Sequence, residues 1–319
     1  MEPGELVTSA PLAARLDIPS GPLFFPVTAY GPDGSVDLDT YRAHVRRGVE
    51  AGAAAVFACC GTGEFHALTP EEFEACVRAA VEAVDGRVPV VAGAGYGTAL
   101  AVRYARLAEA AGADGLLAMP PYLVVAGQEG LLRHYREVAA ATALPVIVYQ
   151  RDNAVFTPET VVALARTDGI IGLKDGLGDL DLMQRVISAV RTEAPGDFLY
   201  FNGLPTAEQT QLAYRALGVT LYSSAVFCFA PEIALAFHRA LRTGDDATVE
   251  KLLDGFYRPF VDLRAQGSGY AVALVKAGVR LRGLDVGEVR PPLHEPAGDH
   301  VKRLADVIER GYALLEEAT

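Results

Sequence analysis

Lys174 ends an apolar run, Gly169-Ile170-Ile171-Gly172-Leu173, in a chain with only four lysines, at 174, 251, 276 and 302. An amine at the end of a buried strand, short of water, shifts toward its neutral form and becomes a nucleophile for carbonyl carbon. Arginine, the usual cation here, stays protonated and cannot serve that way. The competing reading pairs Lys174 with the adjacent Asp175 or extends it to solvent along its methylene stem. Tyr149 closes a second run, Val146-Ile147-Val148. A phenol near the amine could move the protons that imine chemistry requires, or it could be a buried tyrosine with a satisfied hydroxyl. Gly61-Thr62-Gly63 offers backbone N–H groups and a hydroxyl to a carboxylate, or is a plain turn. Asn202, Ser223 and Ser224 end two more runs and could meet substrate hydroxyls or a second carboxylate. Arg151 has the fork of a carboxylate clamp or a place in a surface salt bridge.

Other chemistries find little support. The six histidines are scattered without ligand spacing, so no metal is expected. No Gly-x-Ser-x-Gly elbow marks a serine hydrolase. Gly93-Ala94-Gly95-Tyr96-Gly97 follows a strand as a dinucleotide loop would, but its glycines fall at the wrong spacing.

These residues need a frame that brings strand ends together. β-rich runs near Leu23–Thr28, Ala53–Ala58, Val88–Ala92, Gly115–Ala118, Val146–Tyr149, Ile170–Lys174, Leu199–Asn202 and Thr220–Ser223 alternate with helical patterns. Most are apolar at successive positions, as parallel strands covered on both faces are. Thr69-Pro70-Glu71-Glu72 and Thr157-Pro158-Glu159 open helices, and Thr206 precedes a helical pattern running to Ala216. Gly112 and Gly218 stand where helices must end. Eight strands with intervening helices predict a (β/α)8 barrel, a doubly wound sheet being the alternative, and chemistry in such a barrel sits where the strands end. Residues 1–20 read as an N-terminal segment, 21–230 as the barrel and 231–319 as a helical extension packed on it. That extension is expected to hold helices at Glu232–Leu241, Asp246–Leu263, Tyr270–Arg282 and His300–Glu317.

Composition sets the outer limits. In 319 residues, 51% hydrophobic and 21% charged, there is material for a large core. A net charge of −12 leaves no basic footprint for nucleic acid. No apolar stretch approaches a membrane span and the N-terminus has no signal-like run. Cys59, Cys60, Cys76 and Cys228 read as core residues of a reduced, cytoplasmic chain.

With these residues in place, the chain resembles the class I, Schiff-base superfamily of dihydrodipicolinate synthase and N-acetylneuraminate lyase. Gly61 to Glu64, Tyr149 and Lys174 match that superfamily's glycine–threonine–glycine–glutamate segment, its strand-five tyrosine and its imine-forming lysine. Gly61 stands where the synthase has the first of two threonines, and Leu123 where it has a second tyrosine that reaches a neighbouring subunit; both departures disfavour synthase activity. Longer strings, among them Tyr149-Gln150-Arg151-Asp152-Asn153-Ala154-Val155, Tyr200-Phe201-Asn202-Gly203-Leu204-Pro205-Thr206 and Val289-Arg290-Pro291-Pro292-Leu293, resemble the 5-dehydro-4-deoxyglucarate dehydratase family within it.

The resemblance implies a cofactor-free dehydration with decarboxylation of a keto-deoxy sugar diacid, giving 2,5-dioxopentanoate. It assigns imine formation to Lys174 and proton transfer to Tyr149. Gly61, Thr62 and Gly63 would hold the keto-acid carboxylate. Arg151, Asn202, Ser223 and Ser224 would meet the rest of the substrate. It also implies a homodimer or homotetramer, for which the apolar C-terminal helices could supply an interface. A pyruvate-forming aldolase, a dihydrodipicolinate-type condensation and a non-catalytic sugar-acid sensor are the alternatives on the same scaffold.

Overall fold

The computed structural model describes residues 12–17 and 21–316. Eight parallel strands close into one barrel in sequence order. They are β1 (Leu23–Phe24), β2 (Ala55–Ala58), β3 (Val90–Ala94), β4 (Gly115–Ala118), β5 (Val146–Gln150), β6 (Ile170–Asp175), β7 (Leu199–Asn202) and β8 (Leu221–Ser224), and β8 pairs back to β1. This is the expected (β/α)8 barrel. β1 is shorter than its apolar run because Pro26 has no N–H to give to a ladder. A helix α1 (Leu12–Asp17) precedes the barrel. Between successive strands lie α2 (Leu38–Ala51), α3 (Pro70–Val84), α4 (Thr98–Ala110), α5 (Gln128–Ala139), α6 (Pro158–Ala165), α7 (Leu180–Glu193) and α8 (Gln211–Ala216). After β8, α9 (Pro231–Thr243) packs on α2 and completes the helical ring.

The helix openings form as their sequences predict. Thr69 and Glu72 make a reciprocal capping box at α3, and the Thr157 hydroxyl caps α6. Gly112 and Gly218 take the left-handed conformation at φ 87° and 83°. Thr206 differs: at φ 55° it caps nothing with its side chain, and its hydroxyl is used elsewhere.

Strand alternation sorts the core into two layers. Phe57, Val91, Leu117, Ile147, Phe201 and Leu221 fill the barrel interior with Leu12 and Leu16 of α1. A Cβ at Gly115 would lie 2.3 Å from Leu12, so α1 is seated against the start of β4. Of the expected N-terminal segment, residues 1–11 and 18–20 lie outside the described ones.

Beyond the ring come α10 (Asp246–Leu252), a π-helical turn (Leu253–Tyr257), α11 (Arg258–Arg264), α12 (Tyr270–Leu281) and α13 (Gly298–Glu316). The single helix expected over 246–263 is interrupted because Pro259 cannot donate to the carbonyl four residues back, and the widened turn absorbs the gap. α12 reaches the barrel through a fully buried ion pair, Lys276 Nζ to Glu64 Oε1 at 3.1 Å. Lys276 also donates to the Glu288 carbonyl at 2.7 Å, and Glu64 Oε2 accepts from the Arg290 N–H at 2.9 Å.

Candidate active site

Lys174 lies near the C-terminal end of β6, in register with Tyr149 on β5 and Phe201 on β7. Its inward direction depends on a local irregularity. Ile170 pairs with the outward Val146, but the next inward residue, Ile147, pairs with Gly172. The extra residue in β6 reverses the alternation, turning Gly172 and Lys174 into the barrel and Asp175 out of it. Asp175 is therefore no partner for the amine. It is fully buried on the other face, where it accepts from Gln150 Nε2 at 2.9 Å, from the Leu177 N–H at 3.1 Å and from the Tyr214 hydroxyl.

Lys174 is 6% exposed, with no ion pair among the described residues. Its Nζ stands 4.5 Å from the centroid of the Phe25 ring and 4.3 Å from that of Tyr149. Burial lowers its pKa to about 8, Arg151 contributing in the same direction and Cys60 against it. The Cys60 thiol is itself pushed up to about 12 by burial, so it stands beside the amine as a neutral group.

The Tyr149 hydroxyl donates to the Gly203 carbonyl at 2.9 Å. Burial raises its pKa and Arg151 partly offsets that, so the phenol carries its proton at neutral pH. Two glycines make room for the pair. A Cβ at Gly203 would lie 2.6 Å from Lys174 Cγ, and one at Gly176 would lie 2.8 Å from the Tyr149 ring.

The barrel mouth opens into a cavity of about 290 Å³. Gly61, Thr62, Tyr149, Arg151, Lys174 and Ser223 line it, all expected from sequence. Gly63, Asn202 and Ser224 are not on its wall. Gly63 is packed against Cys59 and Pro26, and its carbonyl accepts from Thr28. The Asn202 amide donates to the Ala207 carbonyl, Thr210 and Gln211, organising the loop after β7. Ser224 points out of the barrel and donates to Glu208 at 2.6 Å. The adjacent serines thus divide, one facing the cavity and one the outer layer, as alternation requires.

Several wall residues were not among the site candidates named from the sequence. His66, Thr206, Phe260, Arg264, Gly269 and Leu293 reach the cavity, four of them from the helical extension or its loops. Arg264, at the end of α11, donates to the Thr206 hydroxyl. Only the fold brings that arginine over the strand ends. The wall holds three cationic side chains, Lys174, Arg151 and Arg264, and no carboxylate, in a chain of net charge −12. Among the described residues, no group of three His, Cys, Asp or Glu side chains is placed to hold a metal.

Residues 19–310 match the dihydrodipicolinate synthetase family model. The chain is 86% identical over 312 residues to the "Probable 5-dehydro-4-deoxyglucarate dehydratase 1" of Streptomyces coelicolor, covering 98% of this chain and 99% of that one. It is 47% identical over 304 residues to the "Probable 5-dehydro-4-deoxyglucarate dehydratase" of Rhizobium rhizogenes, covering 95% and 99%. Among solved structures, dihydrodipicolinate synthase from Bacillus clausii superposes with a TM-score of 0.85 at 28% identity, over 94% of this chain and 99% of that one. With its closed barrel, its lysine in the mouth and a match along almost its whole length, the chain belongs to the dihydrodipicolinate synthetase family.

Proposed function

We propose that the protein converts 5-dehydro-4-deoxy-D-glucarate to 2,5-dioxopentanoate, carbon dioxide and water through an imine on Lys174. The observation that carries this reading is the amine itself, buried, without a carboxylate partner and lowered to about 8, in a cavity whose other charges are all positive. Such a wall suits a dianionic keto acid. The high identity to relatives named as dehydratases of this substrate supports the choice of reaction.

The neutral amine attacks the keto carbon, and Tyr149 delivers the proton with which the carbinolamine oxygen leaves as water. The iminium withdraws electrons and acidifies the adjacent methylene. Loss of a methylene proton, then departure of the neighbouring hydroxyl as water, leaves a conjugated iminium. The electron pair of the breaking carbon–carboxylate bond then flows into this extended sink, and carbon dioxide departs. Reprotonation and hydrolysis release the semialdehyde and restore Lys174. Across the cycle, one proton is taken up and one water is released with the carbon dioxide. The imine supplies the electron sink, so the sequence of steps calls for no cofactor.

Gly61 and Thr62 hold the carboxylate beside the keto group, and Ser223 meets a substrate hydroxyl. Arg151 stands against the Tyr149 phenol and favours its transient ionisation. Gly63, Asn202 and Ser224 contribute by shaping the loops that carry these groups. The protein acts as a homodimer or homotetramer in the cytoplasm; among the described residues, no helix is long and apolar enough to cross a membrane. Four adjacent exposed apolar side chains, Tyr122, Leu123, Val124 and Val125, support association between copies.

Incubation with 5-dehydro-4-deoxyglucarate, followed by NMR of every product, tests the reaction. A semialdehyde with one carboxylate lost is the expected result. Pyruvate with tartronate semialdehyde would replace the dehydratase with an aldolase on the same imine, and unchanged substrate would remove the assignment.

A further inference from the structure

A keto-diacid leaves its far carboxylate to be held once Gly61 and Thr62 have taken the near one, and two guanidinium groups reach the cavity. Arg151 is already engaged. Its Nε donates to Asp152 at 3.1 Å, and its charge sits against the Tyr149 phenol. Arg264 is different. Among the described residues it makes no ion pair, and its hydrogen bond goes to the neutral Thr206 hydroxyl. A guanidinium carries five donors. Half-buried and without an anion in contact among the described residues, it loses hydration that the one Thr206 hydroxyl replaces only in part.

The carboxyl within electrostatic reach, Glu208, compensates poorly. It is fully buried, with Oε1 accepting from Ser224 at 2.6 Å and Oε2 without a partner, and burial raises its pKa to about 7. The placement also fits a diacid. β2, which carries the Gly61–Thr62 loop, stands four strands from β6 in the closed ring, while Thr206 and Arg264 stand over β7, beside it. A chain fixed at Lys174, with its near carboxylate toward β2, therefore runs its far end toward Arg264.

We propose that Arg264 binds the distal carboxylate of the substrate and makes the site select keto-diacids over keto-monoacids of equal length. The inference rests on imine formation at Lys174 but not on the dehydration that follows. The test uses 2-oxoadipate and 2-oxohexanoate, six-carbon 2-keto acids that differ in the far carboxylate. Each is titrated against the wild-type protein with borohydride, and the concentration for half-maximal trapping is read by intact mass. The wild-type chain should trap 2-oxoadipate at a concentration at least about tenfold lower, the worth of a charge-assisted contact. Arg264→Gln, which keeps a donor for Thr206, should abolish that preference while leaving 2-oxohexanoate trapping unchanged. Arg264→Lys should restore part of it, and Arg151→Gln should leave the ratio in place. A preference that survives Arg264→Gln, or one lost in Arg151→Gln instead, overturns the assignment. Absence of trapping with either acid in the wild-type chain would remove the imine reading itself, and this inference with it.

Discussion

Lys174 is held where an ammonium is poorly solvated, and the rings of Phe25 and Tyr149 are its main compensation. With a pKa of about 8, roughly one amine in ten is neutral at pH 7, against roughly one in three thousand for an ordinary lysine. Because the folded value is depressed, the reactive form accumulates as pH rises toward 8 and saturates above it. Imine formation, followed as kcat/KM at low substrate, should climb about tenfold per unit between pH 6 and 7.5 and flatten above about 8. A profile still rising at pH 10 would mean an unperturbed lysine. Glu208 carries the opposite sign. Its folded pKa, about 7, lies above its ordinary value, so its contribution to stability is intact below about 4.5 and is lost as pH rises through 7. Glu208→Gln, which keeps an Oε1 acceptor for Ser224, should raise Tm at pH 8 by an amount equivalent to at most about 3 kcal/mol. Thermal melts of the two proteins should converge near pH 4.5; an equal gap at both pH values would contradict the assignment.

The element that places Thr62 is the loop after β2, and its anchor is in the helical extension. Glu64, at φ 54°, is gripped by Lys276 of α12 and by the Arg290 backbone, and the Arg290 side chain pairs with Glu72 of α3. Burial outweighs the attraction of Glu64 and lowers the Lys276 pKa to about 8. Such a pair is weak evidence of stability but expensive to break singly. Lys276→Met should destabilise the chain by about 3–5 kcal/mol and raise KM, because the loop proposed to hold the substrate carboxylate loses its anchor. In chemical denaturation, the double variant Glu64→Gln/Lys276→Met should recover much of that loss; equal losses in single and double variants would show that the pair itself is not the cause. The sequence made the elements legible because apolar runs, capping residues and helix-ending glycines act locally. Lys174, Tyr149 and Thr62 were legible because each ends or follows such a run. Asn202 and Ser224 were not resolved because one step of strand register decides which face a side chain takes. Arg264 and the Glu64–Lys276 pair were invisible because they join residues far apart in sequence, which only packing of the extension brings together.

At the scale of the whole molecule, the barrel supplies a dry floor and the extension supplies one wall of the cavity. Its surface carries one feature that a solitary protein would avoid, the loop Tyr122–Val125, with Leu123 80% and Val125 86% exposed. The C-terminal helices, expected to offer an apolar interface, contribute among the described residues only Leu281 to the large exposed hydrophobics. A Leu123→Asp/Val125→Asp variant should sediment as a smaller species than the wild-type chain; unchanged sedimentation would move the interface elsewhere. The proposed reaction rests on a single amine, that of Lys174. Borohydride reduction of the protein in the presence of 5-dehydro-4-deoxyglucarate, with the modified peptide mapped by mass spectrometry, tests that assignment. A single adduct is expected, on Lys174, absent from Lys174→Ala protein of native circular dichroism. An adduct on Lys276 or another lysine, or full turnover by the alanine variant, would contradict it.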